Sequence, residues 1–235
     1  MPFISGGELY KVVKKRTILD EATTKFYITQ IVVGIGKLHE RGIIHRDLKL
    51  ENLLLDKNGY IKIIDFGLAK MLQEDEETKT YCGTLEYFAP EMIKRTGHDK
   101  AVDWWAIGVL IFEMVFGVTP FYNRNRNVLI SKIKHSRIVF PNKQTYNLNY
   151  SNELVSIILK LLDKDKDRRL GSTNDAEEIL AHPWFNDMDI GALESFQVPA
   201  PIIPTQTEGE FDTQYFNVRS DPRDLVETVL PPSVI

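Results

Sequence analysis

The chain has 235 residues, of which 43% are hydrophobic and 26% are charged, a composition that provides a core and excludes a disordered or fibrous protein. Its net charge of −4 gives no reason to expect a nucleic-acid partner, and its single cysteine excludes an internal disulfide framework. The longest apolar run, over 104–112, is shorter than a membrane span, and the N-terminal residues do not resemble a signal peptide. We therefore expect a globular protein of the cytoplasm, with the nucleus as an alternative location.

The first part of the chain is predicted to combine one long helix with short strands. Apolar residues at helical spacing predict a helix over 20–41, with Asp20 as its N-cap and Gly42 just beyond its end. Three short apolar runs of strand length follow, separated by turn residues, at 43–44, 53–55 and 61–64.

The later part of the chain is predicted to be mostly helical. Residues 102–116 are apolar almost all round, which predicts a helix buried in the core. Further helices are predicted at 125–135, 151–162 and 175–181, the last opened by a capping box of Asn174 and Glu177. Prolines recur after residue 185, and because proline interrupts regular elements we expect 196–235 to form a tail.

Asn58-Gly59 between two apolar runs is a strong signal for a tight hairpin. If these two residues form the turn, the strand pairing places Asn52 opposite Asp65, with Cα atoms about 5 Å apart. An amide oxygen and a carboxylate are hard ligands that suit Mg²⁺. The alternative is a hairpin whose open end is polar without binding a metal.

Three motifs follow one another along the chain: His45-Arg46-Asp47-Leu48-Lys49-Leu50-Glu51-Asn52, Asp65-Phe66-Gly67 and Ala89-Pro90-Glu91. Together they resemble the C-terminal lobe of a eukaryotic protein kinase. Residues 6–10, 82–91 and 103–113 further resemble the AGC group of serine/threonine kinases. The resemblance implies an α+β, mainly α-helical fold with small β-hairpins at the cleft, a lobe over 1–185 and an irregular AGC-type tail over 186–235.

The resemblance also implies roles at the reaction centre. Asp47 would be the catalytic base, and Lys49 would place its charge on the transferring phosphoryl group. Asn52 and Asp65 would hold Mg²⁺ and, through it, the phosphates of ATP. His45 is expected to be a packed structural residue, because the motif gives the role of base to Asp47.

Nucleotide and substrate contacts are implied at several further positions. Glu8 and Glu51 match positions that contact ATP and basic substrates, and Leu54 matches the apolar floor beneath the adenine. Glu113 matches another acidic position that holds substrate arginines, and Thr84 matches the threonine that favours serine and threonine hydroxyls. Charge complementarity therefore predicts basic serine/threonine peptides or proteins as substrates.

Two structural contacts are implied as well. Glu91 and Arg169 match a structural ion pair of the fold, and Asp103 matches the residue that braces the catalytic loop from the buried helix.

Glu113 interrupts the most apolar helix of the chain, and a charge at such a position requires a partner.

A regulatory site is implied at Thr80, which matches an activation-loop phosphosite and would receive phosphate from an upstream activating kinase. Arg46 and Lys70 match the basic residues that would bind the phosphate. Thr78 is an alternative acceptor in the same loop, and the acidic run over 74–77 is expected to be a solvated loop surface.

The resemblance has three departures. No glycine-rich loop and no V-A-I-K strand precede Gly6, so we expect a chain that starts at the hinge without the N-terminal lobe, as a fragment or from a misplaced start codon. Leu85 stands where the family usually has proline, which predicts altered substrate preference. The tail stretch 212–216 is similar to the segment of AGC kinases that returns over the nucleotide cleft. A second register, which uses Phe211 and Asp212, is an alternative match to that segment.

Two functions follow from these expectations. The first is a serine/threonine kinase that uses ATP and Mg²⁺. The alternative is an inactive kinase-like lobe that binds peptides as a scaffold, an interpretation weakened because a scaffold has no need of Asp47, Lys49, Asn52 and Asp65 together.

Overall fold

The computed structural model describes residues 7–73, 76–80 and 82–204. Its helices are Leu9–Arg16 (α1), Glu21–His39 (α2), Pro90–Lys94 (α3), Ala101–Phe116 (α4), Arg126–His135 (α5), Asn152–Leu161 (α6), Asp175–Leu180 (α7) and Ile190–Glu194 (α8). Its strands are Ile43–Ile44 (β1), Leu53–Leu55 (β2), Ile61–Ile63 (β3) and Lys70–Met71 (β4). Short 3₁₀ turns lie at Leu50–Asn52, Leu85–Tyr87 and Pro183–Phe185. The fold is thus α+β and mainly helical, as predicted.

Helix α4 forms the centre of the molecule. Every residue of α4 is buried except Glu113, which confirms the predicted core helix. The helix packs against α2 on one side and α6 on the other, and α2 in turn contacts α7. Within the described residues, no helix is both long enough and apolar enough to cross a bilayer.

Side-chain caps set the beginnings of several helices. The Asp20 carboxylate accepts from Thr23 N at 2.7 Å and begins α2 as predicted. The predicted capping box of Asn174 and Glu177 is wrong. Asn174 forms no side-chain cap, and the carboxylate that reaches back to the backbone N–H of Asn174, at 3.2 Å, is that of Glu178. Because Asp175 has a φ of +52°, the first turn of α7 is irregular, and this brings Glu178 to the donors.

The hairpin of β2 and β3 has a register different from the predicted one. Leu53 pairs with Ile63, and Ile64 N donates to Asn52 O at 3.0 Å, so Asn52 faces Ile64 rather than Asp65. The turn contains three residues instead of two, because the Asp56 carboxylate accepts from the backbone N–H groups of both Asn58 and Tyr60.

The close approach of residues 196–204 is a second constraint on the backbone of this turn. Gly59 has a φ of +81°, and a Cβ atom there would lie 2.2 Å from Ile202 O. Residues 196–204 run along the hairpin, where Tyr60 Oη donates to Val198 O at 2.5 Å. The remainder of the predicted tail, including 212–216 and the alternative register at 211–212, lies outside the described residues.

A second small sheet completes the cleft. Strands β1 and β4 are antiparallel, with Ile43 opposite Met71 and Ile44 opposite Lys70. The loop that carries Asp47 leaves β1 and enters β2, and the segment that carries Asp65 joins β3 to β4. The two small sheets therefore bring these two loops to the same edge of the helical body.

Candidate active site

The loop after β1 is held from α4 by Asp103. Its two carboxylate oxygens accept from the backbone N–H groups of His45 and Arg46, each at 2.8 Å, which confirms the predicted brace. Asp103 is almost fully buried. Burial would raise the pKa of its carboxyl, but the hydrogen bond and charge of His39 overcome this and lower the pKa below its ordinary value. His45 is buried and packs edge-on against Phe66, as expected of a structural histidine.

His39 is a positioning residue that the sequence did not reveal. Its Nε2 lies 2.9 Å from Asp103 Oδ2, and its Nδ1 lies 2.9 Å from Asp175 Oδ1. Burial lowers the pKa of His39, but hydrogen bonds to both carboxylates outweigh it and raise the pKa to about 9. The ring is therefore a cation at neutral pH that joins α7 to the brace of the catalytic loop. Residues 39 and 175 are so distant in the chain that no local pattern signals their contact.

Asp47 lies at the centre of a hydrogen-bond cluster and is buried. Its Oδ2 accepts from Lys49 Nζ at 2.8 Å and from Asn52 Nδ2 at 3.1 Å. Its Oδ1 accepts from Thr84 Oγ1 at 3.2 Å. Three donors from three positions fix the orientation of this carboxylate, and a fixed carboxylate can accept a proton from a hydroxyl placed beside it.

Lys49 and Thr84 are also in direct contact. Lys49 Nζ donates to Thr84 Oγ1 at 3.1 Å, so the hydroxyl joins the base candidate to the ammonium group. The neighbouring Gly83 has a φ of +107°, and a Cβ atom there would lie 2.9 Å from Arg46 O. Only a residue without a side chain allows the segment of Thr84 to approach the catalytic loop so closely.

Asn52 and Asp65 occupy neighbouring positions at the open end of the hairpin. Asn52 Nδ2 donates to Asp47 O at 2.8 Å as well as to the Asp47 carboxylate, which leaves Asn52 Oδ1 as the atom that can accept a ligand. Asp65 is exposed, has a φ of +63°, and accepts from Gly67 N through one oxygen at 3.2 Å.

These two oxygen donors fit a Mg²⁺ ion that takes its other ligands from phosphate and water. In the part of the chain that the structure describes, no group of three or more His, Cys, Asp or Glu side chains could enclose a metal. A magnesium ion at this position would therefore be bound together with the nucleotide rather than by a closed protein cage.

Glu8 and Leu54 join the first described segment to the hairpin. They pair across an isolated antiparallel bridge, and Leu55 N donates to Gly7 O at 2.9 Å. Leu54 is buried, as a residue beneath a nucleotide base would be. Desolvation raises the pKa of Glu51, and the nearby Glu8 and Asp47 carboxylates raise it further, so the structure places these three acidic side chains in one electrostatic neighbourhood.

Glu113 has the partner that its position in α4 requires. The Tyr87 hydroxyl donates a short hydrogen bond to its carboxyl. Burial raises the pKa of Glu113 to about 8, against the opposing effect of the Tyr87 hydrogen bond, and Glu51 and Glu86 add to the rise. Sequence reasoning missed Tyr87 and Glu86, although both lie in the 82–91 motif. The structure thus brings the acidic side chains of Glu51, Glu86 and Glu113 together near Tyr87.

The activation segment contains an exposed Thr80 and a buried Thr78, whose hydroxyl oxygens are 3.3 Å apart. Arg46 Nε donates to Leu68 O at 2.7 Å, while its Nη1 is buried without a hydrogen-bond partner in the described structure. Lys70 Nζ lies 3.6 Å from Glu76 Oε1.

The acidic run of the activation segment is exposed at its described residues, as expected, but it also forms ion pairs. Glu76 pairs with Lys70, and Glu77 lies 2.6 Å from Lys166. The side chains of both glutamates are about four-tenths exposed, so each pair contributes little stability by itself. Their effect is to hold the described part of the loop against the lobe.

Glu91 and Arg169 form the buried ion pair that was predicted. The two guanidinium nitrogens donate to the two carboxylate oxygens at 2.6 and 2.9 Å. Arg169 also donates to Ala101 O at 2.8 Å and to Asp163 O at 3.2 Å, and its side chain is fully buried. The pair fastens the segment after the activation loop to the beginning of α4.

Comparison with known proteins agrees with this geometry. Residues 1–185 match the protein kinase domain family. The chain is 43% identical over 221 residues to ribosomal protein S6 kinase beta of Caenorhabditis elegans, an alignment that covers 93% of this chain and 39% of that protein. It is 42% identical over 219 residues to the RAC serine/threonine-protein kinase of Drosophila melanogaster, with 92% and 35% covered.

A human relative shows the same pattern. The cAMP-dependent protein kinase catalytic subunit PRKX is 41% identical over 217 residues, which cover 92% of this chain and 58% of that protein. The chain belongs to the protein kinase family, and its relatives are serine/threonine kinases of the AGC group. It spans between about a third and three-fifths of the length of these relatives.

Proposed function

We propose that the protein is a serine/threonine kinase that transfers the γ-phosphoryl group of ATP to hydroxyls of basic peptides or proteins, in the cytoplasm. The observation that carries the proposal is the hydrogen-bond cluster in which Lys49, Asn52 and Thr84 all donate to the Asp47 carboxylate. A buried carboxylate held in this way serves to orient a hydroxyl and accept its proton.

The other residues of the cluster have complementary tasks. Lys49 supports the negative charge that develops on the transferring phosphoryl group, because its ammonium lies beside the base. Asn52 and Asp65 would hold Mg²⁺, which supplies charge neutralisation of the nucleotide phosphates when bound. Glu8 and Leu54 would contact the ribose and adenine, and Thr84 would accommodate a serine or threonine hydroxyl.

The preference for basic substrates is supported by Glu8, Glu51 and Glu113. Glu51 interacts electrostatically with both Glu8 and Glu113, and Glu113 interacts with Glu86, which supports one acidic region. Carboxylates in that arrangement suit the guanidinium groups of substrate arginines.

Regulation by phosphorylation of Thr80 is part of the proposal, with an upstream kinase as the enzyme that adds the phosphate. Exposure favours Thr80 over Thr78 as the acceptor. The unpartnered Arg46 Nη1 is a donor that a phosphate could satisfy. Lys70 would have to exchange Glu76 for the phosphate.

The test is an assay of phosphate transfer from labelled ATP to a basic serine peptide in the presence of Mg²⁺. It is run on this chain and on a chimaera that adds the glycine-rich loop and lysine-bearing strand of a relative, and we expect little transfer by the chain alone. In the chimaera, Asp47→Asn should abolish transfer, while Lys57→Gln on the exposed hairpin turn should leave it unchanged. Peptide binding by the chimaera without any transfer would support an inactive scaffold instead.

A further inference from the structure

One segment of this acidic protein contains no carboxylate side chain at all. Residues 114–152 include Arg124, Arg126, Lys132, Lys134, Arg137 and Lys143 but neither Asp nor Glu, whereas the whole chain has a net charge of −4. The segment comprises α5 and the loops on both sides of it. Positive charge is therefore concentrated in one segment of the chain, which begins directly after Glu113.

A hollow of about 470 Å³ opens within this segment. Its lining is mixed, with polar side chains such as Ser136 and Asn142, and its apolar and aromatic part includes Phe112, Val118, Phe121, Tyr122, Phe140 and Tyr146. Lys132 and Arg137 lie at the same hollow, and no Asp or Glu lines it. A cavity of this size with aromatic walls suits a large apolar side chain.

At the hollow, one apolar side chain is exposed and two polar side chains lack partners among the described residues. Val139 is 71% exposed although it is apolar. The Thr119 hydroxyl lines the hollow and is buried without a hydrogen-bond partner in the described structure. Arg137 is exposed and pairs with no carboxylate among the described residues. The exposed Val139 and Arg137 would gain contacts from a bound chain segment that carries apolar and negatively charged atoms together.

We propose that this hollow is a docking site for an acidic peptide segment of a partner protein, which inserts one aromatic or large aliphatic side chain into the hollow beside the exposed Val139. Acidic residues on either side of the inserted side chain pair with Arg137 and Lys132. The site is independent of the proposed phosphoryl transfer. A peptide fits better than a membrane or a nucleic acid, because the hollow has room for one apolar anchor surrounded by cations.

The experiment measures fluorescence anisotropy of labelled heptapeptides added to the full chain at low salt. The probe peptide has a central phenylalanine flanked on both sides by glutamate and aspartate, and a matched peptide carries alanine in place of the phenylalanine. We expect saturable binding of the first peptide, at least about tenfold weaker binding of the second, and a loss of affinity as salt rises from 50 to 500 mM.

Three variants locate the site. Arg137→Glu and Val139→Asp each place a negative charge at the rim on an exposed residue, and each should weaken binding by about tenfold or more. Lys57→Glu makes the same charge change as Arg137→Glu on the exposed hairpin turn, and should leave binding within about twofold of the original. Thermal unfolding of all three variants checks that the fold is retained.

Two outcomes would overturn the proposal. The first is equal binding of the probe peptide by all variants, or no saturable binding by the original protein. The second is failure of the peptide to bind while vesicles of phosphatidylserine and phosphatidylcholine, or a short RNA duplex, bind in a manner that depends on Arg137. In that case the positive segment would recognise phosphate groups rather than an acidic protein.

Discussion

The pKa of Glu113 makes peptide binding depend on pH in a way that can be calculated. Burial raises the pKa of this carboxyl to about 8, and Glu51 and Glu86 contribute to the rise, so most molecules carry a neutral Glu113 at pH 7. A substrate arginine gains a charge-assisted hydrogen bond only from the ionised form. Binding of a basic peptide at this position should therefore become stronger as pH rises.

The size of the effect follows from the fraction of ionised carboxyl. With a pKa of about 8, roughly one-tenth of Glu113 is ionised at pH 7 and roughly nine-tenths at pH 9. If arginine binds only the ionised form, the affinity rises about tenfold between these values, which corresponds to about 1.4 kcal/mol. The charge of a peptide with an acetylated N-terminus and arginine as its only titratable side chain stays constant over this range, because arginine does not lose its proton.

Calorimetric titration of an arginine-containing peptide into the chain at pH 7, 8 and 9 measures this rise. Glu113→Gln is the matched control, and it should bind more weakly at pH 9 and show little pH dependence. His39, with a pKa of about 9, and Lys164, with a pKa of about 7, titrate in both proteins, so the comparison removes their contribution. An affinity that falls with pH, or an equal rise in the variant, would refute the assignment of Glu113 to arginine binding.

Three further predictions concern stability. Arg169→Met leaves the Glu91 carboxylate buried without its partner, so it should reduce the free energy of unfolding by about 3–5 kcal/mol. Chemical denaturation measures this loss, and a loss below about 1 kcal/mol would contradict the prediction. Gly59→Ala should lower the melting temperature, because residue 59 has a φ of +81° and the new Cβ atom would clash with Ile202 O. An unchanged melting temperature would show that the tail does not pack on residue 59. The pKa of His39 is raised to about 9, so its protonation should contribute on the order of 3 kcal/mol to the free energy of unfolding. This contribution is fully present below pH 6.5 and is lost as the pH rises through 9. His39→Gln should remove this pH dependence from unfolding curves measured at about pH 6 and pH 10.

Short-range signals predicted the local elements well. Asp20 begins α2 because its carboxylate needs only a backbone N–H three residues away. The apolar sequence over 102–116 became the buried helix α4, since a helix that is apolar on all sides is stable only inside a core. The motifs around Asp47 and Asp65 likewise identified the family, because the residues of each motif lie close together in the chain.

The hairpin register shows where a local pattern was insufficient. Asn58-Gly59 predicted a two-residue turn, but Asp56 accepts two backbone hydrogen bonds and makes the loop one residue longer. A change of one residue shifts every pair in the ladder, so Asn52 faces Ile64. Residues 200–202 also pack closely on Gly59, a long-range contact that no local pattern reveals.

By itself the sequence determined the longer helices, the order of the motifs and the membership of the protein kinase family, because these depend on residues that are near one another in the chain. It did not predict the short elements α1, α3, α8 and β4. Only the tertiary structure decided the contact of His39 with Asp175, the cluster of Thr84 on Asp47, and the hollow beside α5. Those contacts join segments that are distant in sequence, and their geometry is set by how the helices pack rather than by any local preference of the chain.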